Sequence, residues 1–250
     1  MSITRPYRRT FRQFADGSYL EGGRSRYVLH PDYAQDPGRY VHAFLLIQRD
    51  LFKLFDFVEP DDNNLACFSF RIHGLLMRTC IEIEANCRAI LSENGYSKAG
   101  DWNIQDYARL NATHRLSDYV VRLQAWTGPH TERRPFAPWA NNQPLPWYQA
   151  YNAAKHDRHN AFHHASLEAA TDAVYALIAL LTSQFGDHDF AAARPGLAIT
   201  GYGGPPPGYE VAIGGEFHVR YPIDWPQQER YEFDWEQLKN DQQPIQSYAY

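Results

Sequence analysis

The chain has 250 residues, 44% of them hydrophobic, 21% charged and 15% aromatic, with a formal net charge of −5. That length and hydrophobic content exclude a disordered chain and allow a core that needs no disulfide or metal staple. The acidic balance excludes a protein that coats nucleic acid through bulk charge, so any RNA contact has to come from a local patch.

In chain order, residues 1–36 carry turn signals (DGS, EGG, DPG) and no sustained period, which predicts an irregular N-terminal arm. Its arginines Arg5, Arg8, Arg9, Arg12, Arg24 and Arg26 outnumber Asp16 and Glu21, and the expected state is a solvated arm. The helical body occupies residues 37–190. From Tyr40 to Val58, apolar residues recur every three or four positions up to Pro60, predicting an amphipathic helix. A second helix is predicted from Leu65 to Ser92, with Leu65, Phe68, Ile72, Leu75, Leu76, Cys80, Ile83 and Cys87 on one stripe and Asn94-Gly95 as its stop. Arg78 and Glu82 lie four apart on it as an expected pair, and Cys67, Cys80 and Cys87 read as core residues.

Residues 112–146 form a strand and loop insertion, the strand being the β-branched run Tyr119 to Trp126 followed by a proline-rich connection. Trp147 to His156 reads as a helix opened by Pro146, and Leu167 to Phe185 as a last core helix capped by Ser166 and ended by Gly186. Residues 191–250 hold a turn-rich linker (GYGGPPPGYEV), a hairpin (EVAI-GG-EFHVRY) and an aromatic tail expected to pack on the bundle. Strands 119–126 and 209–221 are expected to share a sheet. The predicted class is therefore mainly α, an antiparallel helical bundle with a small β appendage.

No run approaches the roughly 20 apolar residues of a membrane span and no signal-peptide core is present, so a cytoplasmic location without membrane partners is expected. The motifs GxxxxGK[ST], GxGxxG and GxSxG are absent. Chemistry is concentrated in YNAAKHDRHNAFHH, where Asn152, Lys155, His156, Asp157, Arg158, His159, His163 and His164 gather between two helices. Cations for phosphate oxygens and imidazoles that titrate near neutrality are what a phosphate-directed site requires.

Arg158 to His163 fits RxxxxH, and the chain thereby resembles the HEPN superfamily of all-helical domains, which includes many RNA-cleaving toxins and defence proteins. The resemblance spans residues 40–186 and includes the polar His159 after the arginine and the motif's place before the last bundle helix. It implies a metal-independent endoribonuclease in which the RNA 2′-hydroxyl attacks the adjacent phosphorus. Arg158 would stabilise phosphoryl charge, His163 would act as general acid or base, and Asn152, Lys155, His156 and His159 would bind RNA. No cofactor is implied; a homodimer is, with room for a regulatory protein partner. The spacing also occurs at Arg109 and His114, which is set aside because Leu110 follows the arginine and the segment reads as loop.

Four other readings of the residues stand beside this one. The cluster is a polar helix junction in which His156 and Arg158 cap carbonyls; or the chain is a non-catalytic RNA- or nucleotide-binding module; or an interaction protein that uses its aromatic tail. The fourth, a metal site on His156, His159 and His163, lacks a carboxylate at a recognisable spacing such as HExxH.

Overall fold

The structure, a computed structural model, describes residues 2–190 and 204–250; the first three residues of the predicted linker, 201–203, lie outside them. Four long helices build the core: α1 (Pro37–Phe55), α2 (Phe70–Glu93), α5 (Pro146–His156) and α7 (Leu167–Phe185). Short helices α3 (Ile104–Ala108), α4 (Leu110–His114), α6 (Arg158–Ala161) and α8 (Trp235–Leu238) complete the helical part. The mainly α class with a small sheet is as the sequence predicts.

α7 is the centre of the molecule. Apart from Glu168 and Asp172 every one of its residues is buried, and it packs against α1, α2 and α5. Ala170, Ala173, Ala176 and Ala179 let neighbouring backbones approach, while Leu177, Leu180, Leu181 and Phe185 supply apolar area. Each such large side chain contributes about 1.5–3 kcal/mol by burial. Ser166 caps α7 by accepting from the Ala169 amide at 3.2 Å, and Gly186 ends it at φ +62°, as its sequence predicts.

The N-terminus of α2 differs from expectation. Ser69 accepts from the Ile72 amide at 3.2 Å and starts the helix at Phe70, separate from a short 3₁₀ segment at Asp62–Asn64. The stretch before Ser69 runs instead beside the start of α7, where the Leu167 amide donates to the Cys67 carbonyl at 2.7 Å and Phe68 bridges Ser166. Cys67 and Phe68 are exposed rather than core, whereas Cys80 and Cys87 are buried. Arg78 pairs across to Asp50 on α1 at 2.8 Å rather than along its own helix to Glu82.

Strands β1 (Val120–Leu123), β2 (Glu132–Arg133), β3 (Glu210–Val211) and β4 (Phe217–Arg220) form one antiparallel sheet in the order β2-β1-β4-β3. The expected sheet between the two regions is present, with Val121 opposite Val219; β2 is an addition from the proline-rich connection. Phe217 carries the sheet onto the bundle, its ring 5.7 Å from Tyr175 of α7 and 6.3 Å from Phe52 of α1. The turn before β4 needs Gly214. It sits at φ +85°, and a Cβ there would fall 2.6 Å from Gln48 Oε1, while Gln48 Nε2 donates to the Gly214 carbonyl at 3.1 Å.

Residues 2–36 are not a solvated arm. Phe11, Phe14, Tyr27 and Tyr33 are buried, and Arg9 is fully buried with its Nε 2.7 Å from Glu93 and its Nη1 donating to Gln184 on α7. Arg5 and Arg24 form half-exposed pairs with Asp241 and Asp16. The arm pairs with the tail through Ile3 and Phe14 beside Tyr231 and through Tyr7 beside Gln246. Tyr231 and Trp225 are buried against it.

Candidate functional site

The histidine-rich segment occupies a three-part junction at one end of the bundle. α5 stops after His156 because Asp157 leaves helical geometry at φ −135°, ψ 65°. Its carboxylate then caps α6, accepting from the Asn160 amide at 3.2 Å and from the Asn160 side chain at 2.9 Å. These two hydrogen bonds hold Asp157 below the usual carboxylate range. α6 lasts only from Arg158 to Ala161, and a 3₁₀ turn at Phe162–His164 folds back against α5 before Ser166 starts α7.

Lys155, His156, Arg158, His159, His163 and His164 are all exposed on this junction, and Asn152 is half-buried one turn earlier on α5. The Lys155 ammonium donates to the Tyr151 hydroxyl at 3.1 Å, a bond that raises its affinity for the proton. His163 and His164 lie ring against ring, with centroids 4.3 Å apart. The side chains of His156, Arg158 and His159 have no hydrogen bond, ion pair or ring contact among the described residues, so the carbonyl caps from His156 and Arg158 are not formed. Among the described residues no group of three or more His, Cys, Asp and Glu side chains is placed to hold a metal ion.

Three aromatic residues beside this junction carry no functional signal in the sequence. Phe162 opens the 3₁₀ turn, and its ring lies 5.7 Å from Phe68, 4.8 Å from Phe70 and 5.6 Å from the His73 imidazole. Helical spacing assigns Phe68 to the core stripe, but the Ser69 cap ejects it from the helix. Phe70 at the first helical position points away from the core. Only the fold shows that these rings meet Phe162.

The second RxxxxH copy is structural. Arg109 and His114 bracket α4, a helix rather than the expected loop, and His114 is fully buried. Its Nε2 lies 2.8 Å from the Arg9 carbonyl, which can only accept, so in the neutral ring the hydrogen sits there and Nδ1 accepts from the Thr113 hydroxyl at 2.6 Å. Burial pushes its pKa down to about 4. A further His–carboxylate pair, His130 and Asp62 at 2.7 Å, fastens the 126–130 loop, since the other Asp62 oxygen accepts from Trp126 Nε1 at 2.7 Å. Glu84 accepts from the Tyr148 hydroxyl at 2.9 Å.

No protein-family model, curated protein or solved structure matches this chain. No helix among the described residues is long and apolar enough to cross a membrane.

Proposed function

We propose that this chain is a metal-independent endoribonuclease of the HEPN type, acting on RNA in the cytoplasm as a toxin or defence protein. One observation carries the reading: an exposed arginine and an exposed histidine, five residues apart, stand without any carboxylate partner at the junction that leads into the central core helix. Within the junction Asp157 caps α6 and Lys155 donates to the Tyr151 hydroxyl, and neither contact uses Arg158 or His163. The arrangement of α1, α2, α5 and α7 with the motif directly ahead of α7 supports a HEPN-like bundle.

In this reading the 2′-hydroxyl of one nucleotide attacks the adjacent phosphorus and the 5′-oxygen of the next leaves, giving a 2′,3′-cyclic phosphate and a 5′-hydroxyl. Arg158 binds the phosphoryl oxygens as charge builds on them. His163 takes the 2′ proton or delivers one to the leaving oxygen; a homodimer that brings two copies of the motif together supplies both roles. Lys155, His156, His159 and Asn152 hold the neighbouring backbone.

Pure protein incubated with RNA in EDTA tests this. Cleavage products ending in cyclic phosphate are expected, with His163→Ala and Arg158→Ala each reducing the rate by about a hundredfold or more. Cleavage that persists in both variants, or that appears only with added divalent metal, refutes the assignment; retention of RNA without turnover moves the protein to the non-catalytic binding class.

A further inference from the structure

The rings beside the junction are exposed to a degree that packing does not explain. Phe70 is 72% and Phe68 51% exposed, yet both lean on Phe162, and together the three form a contiguous aromatic surface next to Arg158 and the paired imidazoles. Isolated exposed phenylalanines are ordinary; a cluster held in shape by mutual ring contacts is not. The shaping is local and specific: the Ser69 cap fixes Phe68 and Phe70 on either side of a helix start, and the 3₁₀ turn fixes Phe162 between them.

Cations frame this surface. Phe70 is also on the wall of a cavity of about 450 Å³ between α1 and α2, lined by Lys53, Arg71, Gly74 and Arg78 among others. Arg78 is engaged with Asp50, but Lys53 has no carboxylate partner among the described residues, and the Arg71 guanidinium lies over the exposed Phe57 ring at 5.4 Å. Gly74 adds no side chain, and the space where a Cβ would stand is open. Flat rings flanked by unpaired cations suit a strand of nucleotides whose bases are free: the bases stack on the rings and the phosphates meet Lys53, Arg71 and Arg158. A duplex does not offer its base faces in this way, and an apolar protein helix gains nothing from the cations.

We propose that Phe68, Phe70 and Phe162 form a base-stacking platform that selects single-stranded nucleic acid and leads it to the Arg158–His163 junction. The proposal rests on the reading that this junction faces RNA, and binding can be measured apart from cleavage. An oligodeoxythymidylate of about 12 nucleotides has no 2′-hydroxyl to attack phosphorus, so its affinity reports the platform alone. Fluorescence anisotropy is expected to show that Phe70→Ala and Phe162→Ala each weaken this binding about tenfold, that Phe70→Trp retains it, and that an abasic oligomer of equal length binds weakly to all three variants and to the unaltered protein.

Unaltered affinity in both alanine variants, or equal affinity for the abasic oligomer or a duplex, overturns the platform. So does sedimentation showing that Phe70→Ala turns a dimer into a monomer with no change in affinity per chain, which would make the rings a contact between copies. Failure of the cleavage assay together with base-dependent, ring-dependent binding leaves the platform standing and removes the nuclease. Cleavage that depends on Arg158 and His163 with ring-independent binding does the reverse. Circular dichroism of each variant separates loss of binding from loss of fold.

Discussion

His114 shows how one buried side chain ties distant parts of this chain together. Its two nitrogens are both occupied: one by the carbonyl of Arg9 in the arm, the other by Thr113, whose hydroxyl oxygen also meets the Tyr250 hydroxyl at 2.9 Å. With the ring held neutral down to about pH 4 in the fold and titrating near 6.5 in the unfolded chain, the unfolded state binds the extra proton between those values. Stability from this group is therefore complete above about pH 6.5 and falls as the pH drops toward 4, by about 3 kcal/mol in all. Asp172, pushed up to about 6 by burial despite Arg133 at 3.0 Å, acts with the opposite sign: its proton is held more tightly in the fold, so it adds stability as the pH falls below about 6. The comparison of His114→Gln with the unaltered protein cancels that second contribution. Urea unfolding at a series of pH values is expected to show the gap between the two proteins narrowing by about 3 kcal/mol from pH 7 to pH 4; a constant gap would mean that the imidazole is not kept neutral.

Among the secondary-structure elements, the junction where α7 ends shows how closely the arm is fitted to the bundle. Gly186 turns the chain at φ +62°, and a Cβ there would stand 2.8 Å from the Phe11 ring. Gly186→Ala strains the backbone and displaces a fully buried phenyl group, so a loss of about 2–4 kcal/mol in unfolding free energy is expected by denaturant titration, and a loss below about 1 kcal/mol would show that Phe11 moves freely. This fit was not readable beforehand, for a definite reason. Period 3.6 marks a helix that buries one face, and it located α1 and α2; Pro146 marked the start of α5, and Ser166 and Gly186 fixed the ends of α7. The arm has no period because Phe11, Phe14 and Tyr27 are buried one at a time against partners far away in the chain. The same rule misled at Phe68, where helical spacing continues upstream of the Ser69 cap although the helix does not. The polar cluster at residues 152–164 was legible as composition, but its aromatic neighbours were not, since their proximity is a product of packing between α2 and the turn after α6.

The molecule as a whole is a helical core held on one side by a sheet and on another by its two terminal segments. The Phe11 amide donates to Ser183 of α7 at 2.9 Å, the Ile3 and Arg230 backbones meet at 2.8 Å, and Tyr231 donates its hydroxyl hydrogen to Thr10 while the Tyr7 amide donates to Tyr231. Phe11, Tyr27, Tyr231 and Phe233 form a chain of ring contacts between arm and tail. Deleting residues 1–15 removes two buried phenyl groups and the ion-pair partner of Glu93, Arg9; about 3–5 kcal/mol for each phenyl, with the broken ion pair added, is as large as a typical margin of 5–15 kcal/mol. The truncated protein is expected to bind a hydrophobic dye and to lose its cooperative thermal transition, whereas an unchanged melting temperature would show that arm and core are independent.

That interleaving also orders events during synthesis. Residues 3–14 leave the ribosome well before their strand-like partners, residues 230–246, which emerge more than 200 residues later by the chain's own numbering. Until then Phe14 lacks the Tyr231 and Phe233 rings that cover it, so this segment is a natural place for a chaperone to hold.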